Sequence, residues 1–320
     1  MAIVVGIDEA GLGPVLGPFV VSAAAFEVPA PDANMWELLA PAVAAKGSRR
    51  SAAVLVADSK KLFKRQTPNP MAPLERSVLA LMHAGGAEVA SLHELLSRVD
   101  PPAVAGLAEY PWYAGEDVPL PMSAGATDIR LAGNAVATAM RDAGVSVLGL
   151  RSRVVFARQF NALLDKTRNK ANTTSGVTNE LIARAWGLST RGPVMIFVDR
   201  QGGRMRYLPG LQRMFPDAAF KVLEETEVSS RYQMHEGDRQ AEIHFSVGAE
   251  KLHFPVALAS MLSKYLREVL MSRFNAFWAG HVASLKPTAG YYTDGRRFFD
   301  EIAPVMESLA IDRERVYRNR

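Results

Sequence analysis

The chain has 320 residues, room for one large domain or two ordinary ones, and its 48% hydrophobic and 22% charged content is that of a folded globular protein. No run approaches the roughly 20 apolar residues of a membrane span, and the start lacks the basic stretch and small-residue cleavage site of a secretory signal, so a cytoplasmic protein is expected. The absence of cysteine excludes disulfides, zinc thiolates and thiol catalysis, while a net charge of +4 permits a polyanionic partner without requiring one.

In chain order, residues 2–8 and 18–28 read as two adjacent strands joined through Gly11-Leu12-Gly13-Pro14, and a loop over Asp32–Arg50 follows. A short apolar run, Ala53–Ala57, ends at Asp58. Pro68-Asn69-Pro70 breaks the chain before a helix over Leu74–Ala84. Residues 85–135 carry little periodicity, and about 67–143 is expected to be an insertion forming an appendage, with some helix over Asn134–Ala143. Strands are expected at Val145–Leu150 and Val154–Phe156, then helices over Arg158–Asp165 and Asn179–Trp186. The stretch between them, Lys166–Thr174, is read as a solvated loop or as the lining of a phosphate groove. Three further strands are expected at Phe220–Leu223, Tyr232–His235 and Glu242–Val247, the last two a hairpin about Gly237-Asp238. Val256, Ala259, Leu262, Leu266, Leu270 and Phe274 recur on one face of a long amphipathic helix. A helix over Phe298–Leu309 precedes a basic segment with Arg313, Arg315, Arg318 and Arg320.

Two of these strands end in acids: Ile3-Val4-Val5-Gly6-Ile7 runs into Asp8-Glu9, and Val194-Met195-Ile196-Phe197-Val198 into Asp199. A buried strand delivers such an acid to the rim of a sheet, where open α/β folds place their sites. If the strands are neighbours, three carboxylates converge, and like charges that close need a hard divalent cation between them. Asp8 and Glu9 are consecutive, so on a strand they point to opposite faces and share one site only where the strand ends and turns. Gly11-x-Gly13-x-x-x-Gly17 misses the dinucleotide fingerprint, having one residue too many, an internal Pro and a strand-like continuation. None of the six histidines has metal-ligand spacing.

Around the first acids the chain reads Gly6-Ile7-Asp8-Glu9-Ala10-Gly11-Leu12-Gly13-Pro14, which resembles the opening of type 2 ribonuclease H (ribonuclease HII). Four further blocks resemble that family in the same order: Asp58-Ser59-Lys60-Lys61-Leu62, Phe197-Val198-Asp199, the helix Ala257–Glu268, and Ala289-Gly290-Tyr291-Tyr292-Thr293-Asp294. The resemblance implies a ribonuclease H-like fold, a central mixed five-stranded sheet flanked by helices. It further implies a catalytic core over 1–270 holding the insertion, and a helical substrate-binding region over 271–320.

The same resemblance implies a monomeric, divalent-metal-dependent endoribonuclease. It would cut RNA within RNA/DNA hybrid duplexes, or at ribonucleotides embedded in DNA, leaving 5′-phosphate and 3′-hydroxyl ends. Asp8, Glu9, Asp199 and Glu268 would hold two Mg²⁺ or Mn²⁺ ions and so form the catalytic set. Gly11, Leu12, Gly13 and Tyr291 would read the 2′-hydroxyl, and Lys60 would contact the substrate backbone. Two positions depart from the pattern: Leu12 stands where the family has Arg, removing a phosphate contact, and Glu268 stands where it has Asp. Lys264 lies four residues before Glu268, so a plain Lys–Glu surface pair is the other reading of that acid. A ribonuclease H-like binding protein without catalysis, and a same-fold nuclease with another structured substrate, are the alternative functions.

Overall fold

The computed structural model describes residues 1–47 and 52–319; part of the loop expected over Asp32–Arg50, and Arg320, lie outside the described residues. The strands are β1 Ala2–Ala10, β2 Phe19–Val28, the two-residue β3 Val43–Ala44 and β4 Val54–Leu55, β5 Ser146–Val155, β6 Val194–Asp199, β7 Ala219–Glu225, β8 Ser229–Glu236 and β9 Arg239–Ser246. The helices are α1 Met35–Leu38, α2 Ser59–Leu62, α3 Ala72–Ala84, α4 Leu92–Val99, α5 Pro101–Leu107, α6 Ala126–Asp142, α7 Ala157–Thr167, α8 Lys170–Trp186, α9 Leu208–Met214, α10 Phe254–His281, α11 Tyr292–Ser308 and α12 Arg313–Val316. None is long and apolar enough to cross a membrane.

Seven strands form one mixed sheet in the order β5-β2-β1-β6-β9-β8-β7, two more than the five expected. Its centre is parallel, β1 beside β6 and β6 beside β9, and its flanks are antiparallel. The alternation of β1 shows how each face is made. Ile3, Val5 and Ile7 join the cluster under α7, α8 and α9, while Val4 joins the cluster under α10. Gly6 lies on the α10 side, where a Cβ would come within 2.1 Å of the Pro255 and Val256 backbone. Only a residue without a side chain lets strand and helix approach that closely.

The segment read as an appendage is part of the core. Leu74, Val78, Leu95, Leu96 and Trp112 are buried in the same cluster as Phe26, Tyr265 and Phe274. The Trp112 ring lies 5.3 Å from Phe274 and 5.9 Å from Trp278, both on α10. Glu75 of α3 is fully buried and accepts hydrogen bonds from the Met122, Ser123 and Ala124 amides and the Tyr265 hydroxyl. That carboxylate ties the 121–125 turn to α3 and α10 together. The expected boundary at residue 270 falls inside α10, a continuous helix.

The run Lys166–Thr174 is mostly helix rather than loop. It spans the end of α7 and the start of α8, where the Asn169 side chain caps the helix by accepting from the Asn172 amide. The two strands expected over 145–156 are the single strand β5.

Candidate active site

Parallel pairing of β1 with β6 sets Ile7 opposite Val198, so Asp8, Glu9 and Asp199 emerge at the same end of adjacent strands. The strand β1 continues to Ala10, so the two consecutive acids leave on opposite faces. Asp8 turns toward α10, where Ser260 hydrogen-bonds it and the Ser263 hydroxyl donates to its backbone carbonyl at 3.0 Å. Glu9 turns toward α8, where Gln201 donates to it at 3.1 Å and to the Thr178 hydroxyl at 2.8 Å. The acids therefore straddle the sheet edge instead of crowding on one side.

Their electrostatics shows that they share a field. Burial, then the charges of Glu9 and Asp199, push the Asp8 carboxyl well above the ordinary range. Burial raises Glu9 to about 7, with Asp199 adding to the shift and Gln201 and Lys60 opposing it. Asp199 is raised to about 6 by burial and by Glu250, against the hydrogen bond it accepts from the Ala249 amide at 2.8 Å.

Glu250 is the residue that sequence reading missed. It follows β9, the next parallel strand after β6, and lies against Asp199, with its Oε2 buried and unpartnered. Its signal was weak, since β9 alternates apolar with polar residues and does not run straight into the acid. It escaped because it lies four residues past the end of β9, inside the short 3₁₀ turn Ala249–Lys251.

Glu268, expected to complete the acid set, is paired with two cations. It accepts from Lys264 Nζ at 2.7 Å, and one guanidinium nitrogen of Arg65 donates to both of its carboxylate oxygens at 3.0 and 3.1 Å. The i, i+4 pairing with Lys264 is thus made, and Arg65 adds a second cation to the same carboxylate. Glu250 is a further acid that lies against Asp199.

Lys60 is delivered to the acids by local chemistry. Asp58 caps α2 by accepting from the Lys60 amide at 2.9 Å, and the Ser59 hydroxyl docks on Ser260 at 3.1 Å. The ammonium group lies close enough to lower both Glu9 and Asp199.

The glycine loop sits alongside. Gly11 has φ +87°, a left-handed conformation, and a Cβ there would meet the Pro18 carbonyl at 2.7 Å. Gly13 faces the Tyr291 ring, 3.6 Å from where its Cβ would be, and Tyr291 is 58% exposed. Leu12 packs against the apolar cluster on the α8 side. The Gly290 carbonyl accepts from the Val15 and Leu16 amides, which joins the loop to the Tyr291 block.

Among the described residues, no three acids or histidines are drawn together closely enough to form a metal-ligating group as they stand. The donor chemistry of Asp8, Glu9, Asp199 and Glu250 nevertheless fits a hard cation. All are oxygen donors, three are forced toward protonation by burial and mutual repulsion, and Glu250 Oε2 lacks a partner. Two carboxylates in contact need a shared proton or a cation, and a divalent ion supplies the second.

No family model and no curated protein matches the chain. Solved structures do. A mutant form of Bst-RNase HIII aligns at 15% identity and TM-score 0.47, over 99% of this chain and 66% of that one. Ribonuclease H2 from Pyrococcus horikoshii OT3 aligns at 13% identity and TM-score 0.46, over 98% and 92%. RNase HII from the Archaeoglobus fulgidus PCNA complex aligns at 14% identity and TM-score 0.39, over 99% and 94%. The chain thus spans just under two thirds of the RNase HIII chain and nearly all of the two archaeal ones.

Proposed function

We propose that the protein is a divalent-metal-dependent endoribonuclease acting on RNA/DNA hybrid duplexes or on ribonucleotides embedded in DNA. The observation that supports this reading is that Asp8, Glu9 and Asp199 leave the same end of two adjacent parallel strands and act on one another's charge, with Glu250, just past the next parallel strand, against Asp199, beside an exposed tyrosine and a glycine loop. Ligation by Glu268, implied by the sequence motif, gives way to ligation by Glu250.

Asp8, Glu9, Asp199 and Glu250 would hold Mg²⁺ or Mn²⁺, which supplies Lewis-acid activation of water and charge neutralisation at the leaving oxygen. The protein's own groups do the rest. Lys60 offsets the acids' charge and stands where a scissile phosphate approaches them. The Gly11–Gly13 backbone, free of side-chain bulk at its two glycines, comes close to a ribose, and the 2′-hydroxyl there separates RNA from DNA. Tyr291 offers a ring face to the same sugar. Gln201 fixes the Glu9 carboxylate by bridging it to Thr178, which holds that oxygen in place without neutralising it.

Purified protein incubated with a DNA duplex containing one ribonucleotide, and with an RNA/DNA hybrid, tests this. Cleavage with Mg²⁺ or Mn²⁺ and none in EDTA is expected. Tight duplex binding without cleavage under either metal would instead favour a binding protein. Cleavage of all-DNA or single-stranded controls at equal rate would move the substrate to another structured nucleic acid.

A further inference from the structure

The glycine loop is buried over Pro14–Pro18, and irregular buried backbone must still satisfy its carbonyls. Here two guanidinium groups do so. Arg318, 1% exposed, donates to the Gly11 and Pro14 carbonyls, and its own amide bonds Val15 O at 2.8 Å. Arg267, 3% exposed, donates to the carbonyls of Leu16, Pro18 and Ala289 at 3.1, 2.5 and 2.9 Å. Among the described residues neither has a carboxylate within ion-pair distance, and Arg318 Nε and Nη1 are buried without partners. A buried cation with unpaired donors is costly, so its place under this loop calls for a reason. Asn161 reinforces the arrangement by bonding the Tyr317 carbonyl and the Asn319 amide, which anchors the segment that carries Arg318.

We propose that Arg318 and Arg267 are positioning residues that set the glycine loop from behind and lock it to the Tyr291 block. Arg318 fixes the carbonyl of Gly11, and hence the amide plane presented by Leu12. Arg267 spans Leu16, Pro18 and Ala289, so loop and tyrosine move as one body. Neither residue touches substrate. The discrimination of ribose from deoxyribose is then governed by a side chain about 300 positions along the chain from the loop it controls. This role rests on the proposed function, whereas the clasp itself does not.

The test uses Arg318→Lys, which keeps the charge but loses the fork, and Arg318→Met, which removes both. Amide hydrogen exchange at Val15 and Leu16, whose amides donate to the Gly290 carbonyl and so join the loop to the tyrosine block, reads the clasp, whatever the protein's activity. Exchange at these amides is expected to speed by at least about tenfold in the Met variant and less in the Lys variant, with β6 and α10 unchanged. In EDTA, where no hydrolysis runs, the ratio of Kd values for an all-DNA duplex and the same duplex with one ribonucleotide reads the discrimination. That ratio is expected to fall toward one in Arg318→Met and to be partly kept in Arg318→Lys. Unchanged exchange in both variants would overturn the clasp. Faster exchange with an undiminished ratio would overturn the link to sugar reading. A parent ratio of one would overturn the proposed function of the loop and leave the exchange result to decide the clasp. If Arg318→Met fails to fold, Asn161→Ala loosens the same segment and is read the same way.

Discussion

At the scale of the residue, the informative comparison is between two glutamates that a sequence cannot rank. Glu250→Gln is expected to lower hydrolysis by at least about 100-fold while leaving the Tm equal or raised, because one of two repelling carboxylates loses its charge. Glu268→Gln is expected to do the reverse: activity within a few-fold, stability down by about 1–3 kcal/mol as Arg65 and Lys264 lose their shared partner. Parallel melting curves and initial rates check both, and equal rate losses would return Glu268 to the site. Asp8→Asn should abolish cleavage with a Tm unchanged or a few degrees higher. Leu12→Arg should steepen the log–log salt slope of duplex binding by roughly 0.9; an unchanged slope would mean that this loop does not face nucleic acid. Glu268 stood out because it lies within a recognisable helix motif, yet its direction depends on Arg65, about 200 residues away. Glu250 was hard to read because it sits in a turn four residues past the alternating strand β9, with no apolar run leading into it.

At the scale of the element, local signals were sufficient where an apolar run had one buried surround, as in β1, β6 and α10. They failed where polar residues build the structure. The Asn- and Thr-rich start of α8 looks like loop by propensity, but Thr173 and Thr174 hydroxyls bond carbonyls one turn back, and both side chains are buried. The outer strand β7 is exposed along much of both faces and so carries no clear alternation of its own. One element makes a pH-dependent contribution. His253, just before α10, stacks on Phe197 at 3.8 Å, and burial together with His244 lowers its pKa to about 4. The unfolded chain binds this proton near pH 6.5 while the folded one does not, so stability is lost as pH falls from about 6.5 toward 4. The parent's urea midpoint should therefore decline more steeply between pH 7 and 5 than that of His253→Phe. Parallel curves would remove the histidine from the account.

At the scale of the molecule, the two apolar clusters sit on opposite faces of one sheet, and the larger takes in residues from all along the 67–143 segment. Glu75→Ala should accordingly weaken the entire protein by about 3–5 kcal/mol and not merely free one segment, since three amides and a tyrosine lose their common acceptor. Circular dichroism in the near and far ultraviolet should melt together in parent and variant; separated transitions would show an independent unit. The parallel seam also governs when the protein can be finished. β1 finds β2 within a few residues, but its other edge waits for β6, about 190 residues later. At roughly 5–20 residues per second that is some 10–40 s of synthesis with an apolar strand edge unpaired on the ribosome. The nascent chain therefore passes through a long window of vulnerability to self-association, and the acids of β1 and β6 come to one end of the sheet only when that window closes.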